Sequence, residues 1–351
     1  MASHKIAVIP GDGIGNEVVP EGLRVLEAVG RKFGFDFQWT HFDWNCERYA
    51  KMGSMMPEDG LEQLRQFEAI FLGAVGYPGV PDHISLWGLL IPIRRTFKQY
   101  INLRPVRLLP GVRTPLANRG PKDIDMVIVR ENNEGEYSSI GGRMYGDTPE
   151  ETTVQLAWFS RKGVDRVVRF AFDLARQRRG HVTSATKSNG IVYTMPYWDE
   201  RFDTVAKEYP EIKTAQFHID ILAAHFVQHP DWFDVVVGSN LFADILSDLG
   251  AAVAGSIGIA PAANINPERE FPSLFEPVHG SAPDIAGKGI ANPVAQIWTA
   301  AMLLDHLGHP EAAQHVVSTI ERVVAEGVAV TRDLGGKAGT AEAGKAIVDA
   351  L

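Results

Sequence analysis

Two carboxylates four residues apart, Asp244 and Asp248, lie in the stretch SNLFADILSDLG, residues 239–250. Ahead of them runs DVVV (234–237), a β-branched segment that reads as a buried parallel strand. Around them Leu241, Ile245, Leu246 and Leu249 recur at helical spacing. On a helix, residues four apart share a face with Cβ atoms roughly 5–6 Å apart, so like charges there repel. A divalent cation turns that repulsion into attraction, because Mg²⁺ and Mn²⁺ prefer hard oxygen ligands. A solvated helix face is the other reading, and the pair alone does not decide.

Other reactive groups stand at similar places. Five apparent buried strands end in loops rich in glycine, asparagine or ionisable residues: PGDGIG, GAVGYPG, RENNEGEY, TKSNG and GSNLFAD. In open α/β sheets, ligands bind beyond the carboxyl ends of the strands. Arg130, Tyr137, Lys187, Asp244 and Asp248 all fall at or just past such ends. Structural ion pairs place one or two there by chance. All five together favour a site.

The elements that must position them alternate between strand and helix. Residues 5–10 (KIAVIP) predict a strand, followed by the turn GDGIG and a helix through Val18, Val19, Leu23, Leu26 and Val29. Glycines stand at 11, 13 and 15, but Asn16 occupies the place of the third glycine of the dinucleotide fingerprint, so no standard Rossmann motif is present. Strands are expected at 37–42, 69–75, 125–130, 181–187 and 257–260. Helices are expected at 60–67, 164–177, 197–208 and 219–227, and two more, 293–307 and 311–326, close the chain. Residues 85–100 are apolar and then basic, with Arg94 and Arg95; Arg104 follows in NLRPVR, extended because Pro105 comes next. Arg95 reads as an ordinary surface arginine. The excursion 138–163 is too long for a plain loop and predicts a β-rich arm that packs on something. This is an α/β chain with a largely parallel central sheet flanked by helices.

At 351 residues, the chain exceeds what one core usually serves, so two lobes are expected. Its 45% hydrophobic and 22% charged content is ordinary for a globular protein. A net charge of −9 argues against nucleic acid or an anionic membrane surface as partner. The single Cys46 excludes an internal disulfide or a cysteine metal cluster and fits a reducing cytoplasm. The N-terminus lacks a hydrophobic signal core. Residues 249–267 carry no charge, but their Gly, Ala, Ser, Asn and Pro content reads as a packed interior helix and strand, not a membrane span.

Taken in order, IAVIPGDGIG, SLWG, NLRPVR, VRENNEGEYSS, SATKSNG, HIDIL, SNLFADILSDLG and EPVHGSAPDIAGKGIANP form a specific set spread over nearly the whole chain. The chain resembles the metal-dependent β-hydroxyacid oxidative decarboxylases, which include isopropylmalate and isocitrate dehydrogenases. It is most similar to their tartrate and D-malate branch. The resemblance implies a two-domain fold of that type, with residues 1–99 and 256–351 as the cofactor lobe. Residues 100–255 would be the substrate, metal and dimerisation lobe. It also implies a homodimer, with the arm 138–163 interlocking and Lys187 and Asp220 reaching the neighbouring subunit's site.

By the same resemblance, Arg94, Arg104 and Arg130 clamp substrate carboxylates, a pairing for which guanidinium forks are suited. Asp220, Asp244 and Asp248 look like ligands of Mn²⁺ or Mg²⁺, with K⁺ a further candidate ion. Lys187 resembles the group that takes the hydroxyl proton, and Tyr137 the acid that protonates the enolate carbon. His279, Gly280, Ser281, Ala282, Asp284 and Asn292 correspond to the NAD loop. The Asp284 carboxylate would accept hydrogen bonds from a ribose diol and repel a 2′-phosphate, favouring NAD over NADP.

Trp87 stands where isopropylmalate enzymes usually carry glutamate, and Gly88 and Leu90 where isocitrate enzymes place Ser and Asn. The resemblance therefore implies a small 2-hydroxy diacid, tartrate or D-malate, that is oxidised and decarboxylated. The alternatives are a 3-isopropylmalate dehydrogenase and, from another class, a regulatory subunit that holds a dicarboxylate without catalysis.

Overall fold

The computed structural model describes residues 2–351. Strands β1 (Ala2–Gly11), β2 (Phe35–His41), β3 (Ala69–Ala74), β4 (Ile101–Arg107) and β5 (Asp125–Glu131) come first. A separate hairpin follows, β6 (Gly141–Met144) with β7 (Thr152–Gln155), and forms the expected arm. Then come β8 (His181–Thr186), β9 (Lys213–His218), β10 (Val235–Gly238), β11 (Pro261–Ile265) and β12 (Ser273–Pro277). All but the hairpin join one ten-stranded sheet, in the order β2-β1-β3-β12-β11-β4-β5-β10-β8-β9.

The sheet is parallel within each half and reverses in its middle. Strands β2, β1, β3 and β12 run together. Strand β11 is antiparallel to both β12 and β4, and β4 is antiparallel to β5. Strands β5, β10, β8 and β9 are again mutually parallel. The loops after β1 and β3 therefore leave the edge opposite to those after β5, β8 and β10. Carboxyl ends alone do not gather the site.

Helices α1 (Gly15–Phe33), α2 (Cys46–Met52), α3 (Gly60–Leu64), α4 (Asp82–Ser85) and α5 (Ile91–Thr96) belong to the first half of the chain, with a π-helical turn at Leu86–Leu90. The middle carries α6 (Arg161–Arg176), α7 (Thr194–Ala206), α8 (Ile219–Gln228) and α9 (Asn240–Val253). The C-terminal part carries α10 (Val294–His306), α11 (Pro310–Ala325) and α12 (Thr340–Ala350). One core gathers Ile128, Phe172, Trp198, Phe226, Val236 and Leu246; another gathers Val8, Val25, Phe71, Phe275, Ile297 and Val316. Among the described residues, no helix is long and apolar enough to cross a membrane.

One expectation needs correction, and three elements were not foreseen. Residues 257–259 form a 3-10 turn capped by the Ser256 hydroxyl, and the strand begins only at Pro261. Strand β12, Ser273–Pro277, was not foreseen. Edge strand β9, KTAQFH, shows too much exposure on both faces to announce itself. A third terminal helix, α12, follows the two expected; its Glu342 side chain accepts from the Gly339 amide at 3.4 Å.

Candidate active site

Helix α9 owes its placement to both ends. Ser239 caps it: the hydroxyl accepts from Phe242 N at 3.4 Å and donates to Glu136 Oε1 at 2.8 Å. Leu241 N donates to the other Glu136 oxygen at 3.0 Å. A capping hydroxyl and a carboxylate at a helix N-terminus satisfy amides that would otherwise lack partners. Nearer the C-terminus, Gly250 lies so close to β4 that a Cβ there would stand 2.6 Å from Val106 Cγ2. The helix thus rests on β4 and holds Asp244 and Asp248 over Arg104.

Arg130 is 2% exposed and gives one guanidinium nitrogen to Asp244 Oδ1 in a short contact, while its Nη2 reaches Asn240 Oδ1 at 2.7 Å. Arg104 Nη1 bonds Ser247 Oγ at 2.5 Å and lies 3.1 Å from Asp244 and 3.8 Å from Asp248. Arg94 is buried against Glu276 at 2.6 Å, and its Nε finds no protein partner. The Tyr137 hydroxyl donates to Asp244 Oδ2 at 2.8 Å, with the Arg130 guanidinium 5.4 Å from its ring. Arg94, Arg104, Arg130, Tyr137, Asp244 and Asp248 are therefore brought together. Three guanidiniums face three carboxylates, Glu276, Asp244 and Asp248, but they leave donors unused, Arg94 Nε among them, which suit a carboxylate ligand.

Burial works to raise the Asp244 carboxyl, but the Arg130 and Arg104 guanidiniums outweigh it and hold that group below the usual carboxylate range. Burial, then Arg104, lowers the Arg130 guanidinium from its ordinary value. For Tyr137, burial and then the Asp244 charge push the phenol up, so its proton is retained, as a general acid requires. Enclosure, then the Asp244 charge, raises Asp248 against the opposing pull of Arg104, although its side chain is 63% exposed and water screens much of the repulsion.

Lys187 and Asp220 form a pair of their own at 2.7 Å, and this bond holds the Asp220 carboxyl low. Within one chain, no group of three His, Cys, Asp or Glu that could hold a metal is found among the described residues. Asp220 does not join Asp244 and Asp248 there. The donor chemistry of the latter two nevertheless suits a hard divalent ion. Their oxygens face one guanidinium nitrogen, so a positive charge is already placed between them.

On the cofactor side, β1 ends at Gly11 and the turn passes directly under residue 281. Gly13 has φ +53, and a Cβ on it would lie 2.0 Å from Ser281 O. The same carbonyl accepts from Ile14 N at 2.9 Å. The start of α1 is thus met by protein backbone, a physical reason why this glycine turn differs from a phosphate-binding one. His279 is buried with Nδ1 on Gly280 O at 3.0 Å, its Nε2 unpartnered and burial lowering its basicity. Gly280 has nothing within 4 Å of its missing Cβ, Ala282 sits at φ +41, and Asp284 is exposed. An orphaned imidazole nitrogen beside open backbone suits a polar ligand such as a dinucleotide. Asn292 is already engaged on both sides, with Asp333 at 2.9 Å and Val294 N at 3.0 Å.

Sequence reading missed the amides beneath the arginines. Arg104 Nε donates to Asn102 Oδ1 at 2.7 Å, Asn102 to Asn264 Oδ1 at 2.9 Å, and Asn264 to Glu276 Oε1 at 2.7 Å. These side chains tie β4, β11 and β12 across the sheet's reversal and set Arg104 and Arg94 on a common frame. Arg95 also departs from expectation. It is half-buried, donates to Tyr137 O at 2.7 Å, and lies 4.8 Å from the Trp87 ring centre. A backbone carbonyl partner 42 residues away leaves no sequence signal.

The profile of the family described as isocitrate/isopropylmalate dehydrogenase matches residues 5–347. A tartrate dehydrogenase/decarboxylase of Pseudomonas putida is 58% identical over 99% of this chain and 98% of its own. A D-malate dehydrogenase (decarboxylating) of Escherichia coli (strain K12) is 57% identical over the same shares. Among solved structures, an isocitrate dehydrogenase from Methylococcus capsulatus superposes with a TM-score of 0.90 at 37% identity, covering 99% of both chains.

Proposed function

Because the chain belongs to the isocitrate/isopropylmalate dehydrogenase family, we infer that it oxidises small 2-hydroxy diacids, D-malate and tartrate, with NAD⁺ and a divalent ion. The observation that carries the reading is the Tyr137–Asp244–Arg130 contact, set among Arg94 and Arg104. It joins carboxylate recognition to a protonated phenol in one place. We assign residues 1–99 with 256–351 to a cofactor lobe and 100–255 to a substrate lobe; a core drawn from residues 100–254 supports that division. With one buried thiol, Cys46, the compartment we assign is the cytoplasm.

In this reading Arg94, Arg104 and Arg130 hold the two carboxylates, each through donors that its structural partners leave unused. Asp244 and Asp248 would hold Mn²⁺ or Mg²⁺, joined by Asp220 of a second copy. That ion, when bound, stabilises negative charge on the substrate's C2 oxygen. Residues 279–284 would hold NAD⁺, which would supply the two-electron acceptor. Lys187, also from the second copy, takes the hydroxyl proton as C2 is oxidised. The 3-carboxylate then leaves as carbon dioxide, and the Tyr137 hydroxyl gives its proton to C3. For D-malate the product is pyruvate.

The second copy is supported by exposed apolar side chains on the arm and on the helices beside Asp220 and Asp244: Ile140, Val154, Leu156, Ile221, Val227 and Ile245. Such surface on a lone chain is a sign of an interface. Following NADH formation from D-malate, tartrate and 3-isopropylmalate, with and without Mn²⁺, tests the assignment. The first two are expected to turn over only with metal. A strong preference for 3-isopropylmalate would overturn the substrate, and no metal-dependent turnover of any would favour a binding subunit.

A further inference from the structure

Helix α5 carries adjacent arginines that point to different duties. Arg94 turns to Glu276, while the Arg95 guanidinium lies over the Trp87 ring and bonds the Tyr137 carbonyl. The two ends of that contact belong to different bodies of the molecule. Helix α5 is seated through Ile93, with Phe97 beyond it, in the core that contains Leu72 and Leu89. Tyr137 follows β5, whose Ile128 and Val129 lie in the core around Trp198 and Phe226.

Tyr137 itself sits in a bend, outside strand and helix, and among the described residues its carbonyl has no main-chain partner. Its phenol end is fixed by Asp244 and its ring lies by Arg130. The Tyr137 carbonyl has only Arg95, while the chain to either side is held by Gln155 Nε2 on Glu136 O at 2.9 Å and by Ser138 Oγ on Leu156 O. An arginine suits this task because its planar fork can stack on an aromatic face and donate in its own plane at once, which a lysine ammonium cannot do.

We propose that Arg95 is a positioning residue for Tyr137: braced on Trp87, it fixes the main chain from which the phenol reaches the reacting carbon. The proposal rests on the reading of Tyr137 as the general acid. Its consequence is selective. When the 2-keto acid loses carbon dioxide, the electrons of the broken C3–carboxylate bond form the C2–C3 double bond of the enolate. C3 then takes the Tyr137 proton, and water restores the phenol. Oxidation at C2 does not use that proton. A displaced Tyr137 should therefore slow decarboxylation and leave oxidation almost untouched.

The test compares the two partial reactions in full-length Arg95→Met and Arg95→Lys. One is single-turnover NADH formation from D-malate with Mn²⁺; the other is Mn²⁺-dependent conversion of oxaloacetate to pyruvate. Arg95→Met should keep the NADH step within about twofold and slow decarboxylation about tenfold, since a misplacement near 1 Å costs about that or more. Its solvent deuterium isotope effect on decarboxylation should rise, and Arg95→Lys should fall between. Equal losses in both steps, or unchanged decarboxylation in every variant that retains a cooperative melting transition, would overturn the role of Arg95. If wild type performs neither reaction, the functional reading falls, and this inference with it.

Discussion

The proposed preference for NAD over NADP rests on one side chain, Asp284. It is exposed at the turn after His279 and Gly280, and Lys288 Nζ is bonded to its backbone carbonyl at 2.7 Å rather than to its carboxylate. A carboxylate there accepts from a ribose diol and repels a phosphate on the same sugar. Asp284→Lys is expected to shift the ratio of kcat/KM toward NADP by at least about tenfold. An unchanged ratio would remove Asp284 from cofactor selection. Cys46 makes the opposite case, a reactive residue type with no reactivity. Burial, then the Asp12 carboxylate, pushes its thiol up to about 12. It should resist iodoacetamide at pH 8.5, where an ordinary thiol is about half ionised, and react only on unfolding. Rapid labelling of the native protein would contradict this. Arg130, Tyr137, Lys187, Asp244 and Asp248 stood out in the sequence because all five fall at apparent strand ends; Arg94, Arg104 and Asp220 were singled out only through the family resemblance. The amides were not legible, since Asn102 and Asn264 look like polar interruptions until strands 162 residues apart are paired.

Helix α9 shows what an element contributes beyond its residues. Its sequence announced the helix through the apolar spacing of Leu241, Ile245, Leu246 and Leu249, while the cap at Ser239 came only with the structure. What could not be read was how closely it lies on β4. Gly250 allows that approach, and the contact with Val106 sets the height of Asp244 and Asp248 above Arg104. Gly250→Val is expected to destabilise the protein by about 1–3 kcal/mol through overpacking and to weaken Mn²⁺ binding together with it. Loss of stability with metal affinity intact would mean that α9 does not set the site. Strand β11 was misplaced for a related reason: IGIA has the β-branched look of a strand, but the pairing begins at Pro261, where a missing amide is tolerated at a strand's first residue.

On the scale of the whole molecule, the reversal at β11 and β4 is the organising feature. Two parallel half-sheets meet there, and the amide ladder fastens Arg104 and Arg94 across the join. The alternation of strand and helix in the sequence predicted a largely parallel sheet, but strand direction is a property of partners far apart in the chain, so the reversal was invisible. A second feature is that one chain carries the reactive groups in two separate sets. Arg94, Arg104, Arg130, Tyr137, Asp244 and Asp248 form one; Lys187 and Asp220 form the other. Completing the site with a second copy demands that each dimer hold two sites, each built from both chains.

Subunit complementation measures that demand. Lys187→Ala and Asp244→Asn homodimers are each expected to be inactive on D-malate. After subunit exchange, random pairing gives half heterodimers, each with one site intact, so about a quarter of wild-type NADH formation should return. Activity that stays at the sum of the two inactive parents at every mixing ratio, despite proven heterodimers, would contradict the shared site.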